Sequence, residues 1–208
     1  MNNKENSIQQ IIDISRKIEG TTLPKVIKAL TGHEVIQFDG SNSNDKLLLQ
    51  EISKTANNFI KYTERTKQRF GGNRSNEVGN RIEEVFVEEL KKSKIKPFLL
   101  RSSGYPDLKL IDENGNVTYL ESKIVSKDWD SSFRSFYLSP GINIQKKIDS
   151  DGRHLLIAWH IEEESTNYWK VTEWKLCNLY NLHLGLKIEF NSNNQRLYSE
   201  ESLITKSQ

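Results

Sequence analysis

The sequence of 208 residues has a single cysteine and no long run of apolar residues. With Cys177 alone, the chain cannot form an internal disulfide, and a zinc site built from several thiolates is excluded. The longest apolar runs, such as Leu155–Trp159, fall far short of the roughly 20 residues that a membrane-spanning helix needs. The polar start of the chain, Met1–Asn6, does not have the pattern of a signal peptide. We therefore expect a cytoplasmic protein without a membrane partner.

The sequence also lacks a large excess of either charge. It has 30 lysines and arginines and 28 acidic residues, which give a net charge of +2. This balance does not by itself indicate a nucleic-acid partner, because binding depends on clustered basic residues. The pair Gly71–Gly72 lacks the Gly-Lys-Ser/Thr ending of a phosphate-binding loop, so no nucleotide cofactor is expected. What remains, 35% hydrophobic and 28% charged residues, is typical of a globular chain with a core.

Apolar spacing predicts helices in the first half of the chain and mostly strands in the second. The predicted helices cover residues 7–19, 26–30 and 45–68, a stretch from a cap at Ser75 or Asn76 to about Lys92, and a segment near 141–150. The predicted strands are Leu108–Asp112, Val117–Val125, Leu155–Ile161 and Tyr168–Leu176. This order predicts an α/β or α+β fold with a central mixed β-sheet flanked by helices.

The first two predicted strands carry two acidic residues and a lysine. Pro106-Asp107 precedes the first strand, and Glu121-Ser122-Lys123 lies within the second. Carboxylate oxygens suit Mg²⁺, which takes one or two carboxylates from a protein and keeps several waters. Such an ion neutralises charge on a phosphodiester and lowers the pKa of a bound water, while a nearby lysine orients that water or stabilises the developing charge. The segment therefore predicts a magnesium-dependent centre for phosphodiester hydrolysis.

The turn between these two strands determines which side chains face each other. Asp112–Gly115 fits a type I turn with Gly115 in the left-handed conformation, which is a known hairpin loop. In that register Asp107 lies opposite Glu121. Glu121 and Lys123 are two residues apart and so share one face of their strand. The register predicts that all three functional groups converge on one side of the hairpin.

This arrangement resembles the PD-(D/E)XK nuclease superfamily, in which type II restriction endonucleases are prominent. Pro106-Asp107 matches the first half of the motif and Glu121-Ser122-Lys123 matches the second. The resemblance implies a restriction-endonuclease-like fold. It also implies an Mg²⁺ ion, for which Mn²⁺ can substitute, bound by Asp107, Glu121 and the backbone carbonyl of Ser122. Lys123 would then activate the attacking water.

A glutamate on the preceding helix extends the resemblance. The apolar residues of that helix form one stripe, Glu83 lies at its border, and Glu84 points away from it. Superfamily members often carry a glutamate in a Gly-x-x-x-Glu setting, and Gly79–Glu83 has that form. The resemblance implies that Glu83 contributes to the site by binding a second ion directly or through water. The alternative is that Glu83 and Glu84 are both solvated helix residues.

Polar residues after the catalytic strand are candidates for contacts to DNA. Basic and hydroxyl side chains suit phosphate contacts, whereas amide side chains and arginine suit base readout. The candidates are Lys127, Ser132, Arg134, Gln145, Lys146, Arg153, Asn191, Asn193, Asn194, Gln195 and Arg196. Lys147 lies on the same predicted helix as Gln145 and Lys146, where the resemblance implies polar residues that face the site. For the stretch from Asn191 to Arg196, a polar loop without contact to DNA stays open as the alternative.

We therefore predict a type II site-specific deoxyribonuclease that cleaves double-stranded DNA as a homodimer, because two-fold symmetry delivers one active centre to each strand. Residues 71–208 would form the nuclease core with C-terminal recognition elements. Residues 1–70 would form a helical part that serves dimerisation or clasps DNA, within one continuous domain. Two alternatives stay open. One is a repair or junction-resolving nuclease of the same superfamily, and the other is a non-catalytic DNA-binding protein in which the motif is coincidental.

Overall fold

The computed structural model describes residues 3–101, 104–129, 138 and 142–187, which form five helices and eight strands. The helices are α1 (Asn3–Ile18), α2 (Leu23–Thr31), α3 (Ser43–Thr66), α4 (Ser75–Leu90) and α5 (Ile142–Lys147). The strands are β1 (Thr21–Thr22), β2 (Phe70–Gly71), β3 (Lys96–Leu99), β4 (Leu108–Ile111), β5 (Val117–Val125), β6 (Arg153–Ser165), β7 (Tyr168–Asn178) and β8 (His183–Leu184). The candidate DNA contacts that lie outside the described residues are Ser132, Arg134, Asn191, Asn193, Asn194, Gln195 and Arg196.

The chain divides into two compact units. The smaller unit comprises residues 1–21 and 183–208, and it contains α1 and β8. The larger unit, residues 22–182, contains α2 to α5 and β2 to β7. It therefore holds both α3, from the predicted N-terminal part, and the whole predicted catalytic hairpin. Within the described residues, no helix is both long enough and apolar enough to cross a lipid bilayer.

The larger unit is built on a six-stranded sheet with the order β2-β7-β6-β5-β4-β3. β5 and β6 run parallel, and the other neighbouring strands run antiparallel. A parallel pair needs a crossover connection, and α5 lies in the segment between these two strands. The predicted mixed sheet flanked by helices is confirmed.

Helices α3 and α4 pack on one face of this sheet and enclose the hydrophobic core. The indole ring of Trp159 in β6 lies 4.9 Å from the ring of Phe59 in α3 and 4.8 Å from that of Phe86 in α4, centroid to centroid. Leu120 and Ile157 point to the same core. Burial of apolar surface, at about 25 cal/mol per Å² removed from water, makes this face the rigid support of the sheet.

The opposite face of the sheet carries the polar groups of β5. Because side chains alternate along a strand, Tyr119, Glu121 and Lys123 point away from the face of Leu120. The turn that follows α5 covers part of this face, since the backbone amides of Asp149 and Ser150 donate to the Tyr119 hydroxyl at 3.1 and 3.2 Å. The sheet thus separates a packed apolar core from a face with polar side chains.

The structure corrects two details of the sequence analysis. α4 begins at Ser75 with Arg74 in the N-cap position and no side-chain cap, so the predicted cap at Ser75 or Asn76 is wrong. A glutamate of the first turn contributes there instead, because Glu77 accepts the amide of Asn73 at 3.1 Å. Strand β3 was not predicted, since Lys96–Leu99 is short, contains a proline and has no marked alternation. It forms through its antiparallel pairing with β4.

Candidate active site

A short hairpin between β4 and β5 builds the centre of the candidate site. The Asp112 carboxylate accepts the amides of Asn114 and Asn116 at 2.9 and 2.8 Å, and Gly115 adopts a positive φ of 79°. This turn fixes the register Leu108↔Leu120, as the sequence predicts, so the next residues outward on the two strands are Asp107 and Glu121.

Asp107 is held at the start of β4 by both its backbone and its side chain. Its carbonyl accepts the amide of Leu100 at 2.8 Å. Its Oδ2 accepts the amide of Ser122 at 2.8 Å, which draws the carboxylate across to β5 between Glu121 and Lys123. The structure therefore brings together the three residues that the motif singles out.

Glu121 is the most buried of these groups, with 4% of its surface exposed. Its Oε1 forms an ion pair with Lys123 Nζ, whereas its Oε2 has no hydrogen-bond donor among the described residues. Burial first, and then the charge of Asp107, raise the pKa of Glu121 to about 7 against the opposing effect of Lys123. When Glu121 is ionised, its Oε2 therefore carries negative charge that no hydrogen-bond donor among the described residues compensates.

Glu83 brings a third carboxylate into the same electrostatic environment. Its position at the border of the apolar stripe of α4 leaves it half-buried beside the sheet. Burial, followed by the negative charges of Asp107 and Glu121, raises its pKa to about 8, although Lys123 and Lys147 act in the opposite direction. Glu84 is exposed, so the two adjacent glutamates occupy different environments.

The donor set fits a hard divalent ion whose shell is completed by water. Among the residues that the structure describes, no cluster of three or more His, Cys, Asp or Glu side chains is arranged to hold a metal. Mg²⁺ does not need such a cluster, because one or two carboxylates and several waters suffice. Asp107 and Glu121, whose Oε2 has no hydrogen-bond partner among the described residues, supply these two carboxylates. A cation would also offset the negative charge that, after burial, raises the pKa values of Glu121 and Glu83.

The other predicted site residues that the structure describes differ in exposure and in hydrogen bonding. Lys127 follows β5 directly and is exposed. Lys146 is exposed on α5, and Gln145 beside it donates to the carbonyl of Leu30 at 3.1 Å. The Ser122 hydroxyl is buried without a hydrogen-bond partner in the described part of the chain. Of these residues, Lys127 and Lys146 have exposed side chains that are accessible to DNA.

The prediction that Arg153 contacts DNA requires a correction, because its side chain is buried. Its guanidinium is 8% exposed and forms an ion pair with Asp45, whose side chain is 2% exposed. Asp45 is fixed in turn by the amide of Asp39, which donates to it at 2.6 Å. The side chain therefore ties the start of β6 to α3 instead of lying on a DNA-facing surface.

Sequence reasoning did not identify the contacts of a group of buried polar residues beside the hairpin. The Tyr105 hydroxyl contacts Nδ1 of His154 at 2.5 Å, and burial lowers the pKa of His154 to about 3, so its ring is neutral. Lys147 is 4% exposed and donates to the carbonyls of Gly104 and Pro106. The signal for Lys147 is its spacing, because it lies three residues after the buried Ile144 and therefore shares one face of α5 with it.

The fold and the site together define a restriction-endonuclease-like nuclease. A mixed sheet flanked by helices presents a hairpin on which Asp107, Glu121 and Lys123 meet, as the PD-(D/E)XK pattern requires. A profile of the type II restriction enzyme MjaV family matches residues 16–201. The chain belongs to this family.

A curated relative agrees with the family match. The type II restriction enzyme MjaV of Methanocaldococcus jannaschii is 32% identical to the chain over 218 aligned residues, which cover 96% of this chain and 93% of the relative. No solved structure matches the chain. Type II restriction enzymes are site-specific deoxyribonucleases, so the predicted enzyme class is confirmed.

Proposed function

We propose that this deoxyribonuclease hydrolyses double-stranded DNA with the help of Mg²⁺, for which Mn²⁺ can substitute. The observation that carries the proposal is the close pair of carboxyl groups, Asp107 and Glu121, beside the ammonium group of Lys123. When bound, the ion would neutralise charge on the scissile phosphate and lower the pKa of a coordinated water. Asp107 and Glu121 would hold it, with the backbone carbonyl of Ser122 as a further ligand.

Lys123 would act on the attacking water and on the phosphate. Its side chain is 41% exposed, whereas that of its partner Glu121 is 5% exposed, so the ammonium group reaches from the buried carboxylate to the solvent side. From there it can donate a hydrogen bond to a phosphate oxygen and orient the water. Glu83, which lies in the field of Asp107 and Glu121, would bind a second ion directly or through water.

The DNA would cross the face of the sheet that carries Lys123. Strand pairing places Lys123 beside Ala158 of β6, and Ala158 beside Lys175 of β7. Paired residues point to the same face, so the two lysines flank a small side chain, with their Cα atoms about 10 Å apart. This row suits two phosphates of one strand. Lys127, exposed just beyond β5, would extend the basic surface.

We further propose that the enzyme acts in the cytoplasm as a homodimer, since each chain offers one centre and a duplex has two strands. Helix α1 exposes a stripe of isoleucines that a second copy would cover. The stripe consists of Ile8, Ile11, Ile14 and Ile18, each at least 40% exposed.

The double substitution Ile11→Glu, Ile14→Glu should shift the mass measured by light scattering to that of a monomer, whereas Gln10→Glu should not. A mass unchanged by the double substitution would show that another surface pairs.

Digestion of plasmid and phage DNA, followed by sequencing of the ends, tests the proposed function. We expect discrete fragments whose ends share one sequence, with Mg²⁺ required and a chelator inhibiting. Ca²⁺ should support binding without turnover, because it takes more ligands at longer distances. Cleavage of branched DNA without sequence preference would favour a repair or junction-resolving nuclease. A folded protein that binds DNA and never cleaves it would favour the non-catalytic alternative.

A further inference from the structure

Lys147 is the last residue of α5 and is buried, like Ile144 one turn before it and Ile148 directly after it. Ile144 and Ile148 are 3% and 0% exposed, whereas the intervening Gln145 and Lys146 are exposed. Lys147 has 4% exposure, and a buried ammonium group is costly unless hydrogen bonds and opposite charges compensate it. The position therefore requires a reason beyond packing.

The partners of Lys147 lie on the segment that leads into Asp107. Its Nζ donates to the carbonyl of Pro106 at 2.8 Å and to the carbonyl of Gly104. The charged groups that face it are Asp107, Glu121 and Glu83, together with the like charge of Lys123. The lysine thus joins α5 to the approach to the catalytic hairpin.

That approach lies between two strands of the sheet. β3 ends at Leu99 and β4 begins at Leu108, so residues 104–107 lie outside the named strands. The Asp107 carbonyl is bonded to the amide of Leu100, and the Tyr105 hydroxyl is bonded to His154. Lys147 holds the carbonyl of Gly104, which precedes Tyr105, and the carbonyl of Pro106, which lies between Tyr105 and Asp107.

We propose that Lys147 is a positioning residue that fixes the segment from Gly104 to Pro106 and thereby presents the Asp107 carboxylate to the divalent ion. This inference rests on the proposed metal-dependent function. Ligand sets act only when held within a fraction of an ångström, and groups that orient a metal ligand commonly contribute 10–100-fold to metal affinity or activity, an order-of-magnitude range. Lys147 is too buried to touch DNA, so its effect should reach the reaction through Asp107.

Two effects of opposite sign make the inference testable. If Lys147 acts through position, its loss misplaces Asp107 and weakens metal binding. If Lys147 were chiefly a cation that competes with the metal for the three carboxylates, its loss would strengthen metal binding. The geometry favours position, because both hydrogen bonds go to backbone carbonyls and neither goes to a carboxylate.

The experiment is a titration of the DNA-free protein with Mn²⁺, in which free Mn²⁺ is measured by electron paramagnetic resonance. We expect Lys147→Met to raise the dissociation constant about 10–100-fold. Lys147→Gln, which retains an N–H donor without the charge, should recover part of the affinity. Lys28→Met is the matched control, because Lys28 also donates to a backbone carbonyl, that of Gly32 at 2.9 Å, but on the exposed end of α2. Unchanged or tighter binding by Lys147→Met would overturn the inference.

Kinetics and folding supply the remaining distinctions. With saturating Mn²⁺, Lys147→Met should lower kcat while the KM for DNA stays unchanged, and a raised KM at constant kcat would contradict a role through Asp107. If neither variant melts cooperatively, Lys147 supports the whole fold and the inference is overturned. Failure of the wild-type protein to bind Mn²⁺, or binding that survives Asp107→Ala, would instead refute the proposed metal centre itself.

Discussion

The Asp107 carboxylate reaches across the hairpin to β5 and accepts the amide of Ser122 at 2.8 Å, directly beside the buried Glu121. This partly buried hydrogen bond joins the first half of the motif, Pro106-Asp107, to the second half, Glu121-Ser122-Lys123. It holds the Asp107 carboxylate close to the carboxyl group of Glu121, whose pKa burial and the charge of Asp107 raise to about 7, and the first two predictions depend on this proximity.

Asp107→Ala should abolish cleavage and leave the fold intact. The substitution removes one of two proposed carboxylate ligands, and loss of metal catalysis amounts to several kcal/mol of barrier, or about a thousandfold or more in rate. Glu113→Ala is the matched control, since Glu113 is an exposed acid at the far end of the same hairpin, paired with Lys94. Circular dichroism checks the fold of both variants. Residual cleavage by Asp107→Ala within tenfold of the wild-type rate would contradict the assignment.

Without metal, the protein should lose stability as the pH rises from about 6.5 to 8, a range above the ordinary pKa of 6.5 at which the buried, neutral His154 stops opposing the trend. Glu121 and Glu83 have folded-state pKa values of about 7 and about 8, above the ordinary 4.5. Between 4.5 and those values the folded state binds more protons than the unfolded state, so the free energy of unfolding falls with increasing pH. Because a metal binds the ionised forms, Mn²⁺ affinity should rise over the same range. Thermal melts with and without Mn²⁺ measure both trends, and a melting temperature that rises with pH in chelator would refute them.

The hairpin could be predicted from the sequence because everything that determines it is local. Asp112 and Gly115 fix the turn, and the two-residue period of a strand then assigns Glu121 and Lys123 to one face. The equally local period of a helix distinguishes the half-buried Glu83 from the exposed Glu84. These residues needed no knowledge of tertiary packing, which is why the motif and its geometry agree.

Residues whose role depends on distant partners were not predictable in the same way. Arg153 resembles a surface cation in sequence, and only the packing of α3 against the start of β6 brings Asp45 to it. Lys147 shares a helix face with the buried Ile144, which marks it as unusual, but the carbonyls that it meets lie 43 and 41 residues earlier in the chain. Strand β3 likewise depends on its pairing with β4.

Arg153→Met should destabilise the protein while leaving sequence preference on DNA unchanged. Removing one member of a buried ion pair leaves the other charge uncompensated, which costs about 3–5 kcal/mol. Urea denaturation measures the loss, and Asp45→Asn combined with Arg153→Met should recover part of it. A variant of wild-type stability that binds DNA more weakly would restore Arg153 to the DNA interface.

Lys175→Ala should weaken DNA binding at all sequences to a similar extent. Lys175 shares a row with Lys123 across β5, β6 and β7, and its Nζ lies 4.3 Å from the ring centroid of Trp129, which holds it near the end of β5. If it contacts one phosphate, the slope of log affinity against log salt should decrease by about one unit. Lys54→Ala is the control, because Lys54 is exposed on α3, which packs against the opposite face of the sheet. Fluorescence anisotropy in Ca²⁺ at several salt concentrations measures the slope for both variants. An unchanged slope for Lys175→Ala would move the DNA path away from β7, whereas a loss confined to cognate DNA would assign Lys175 to base readout.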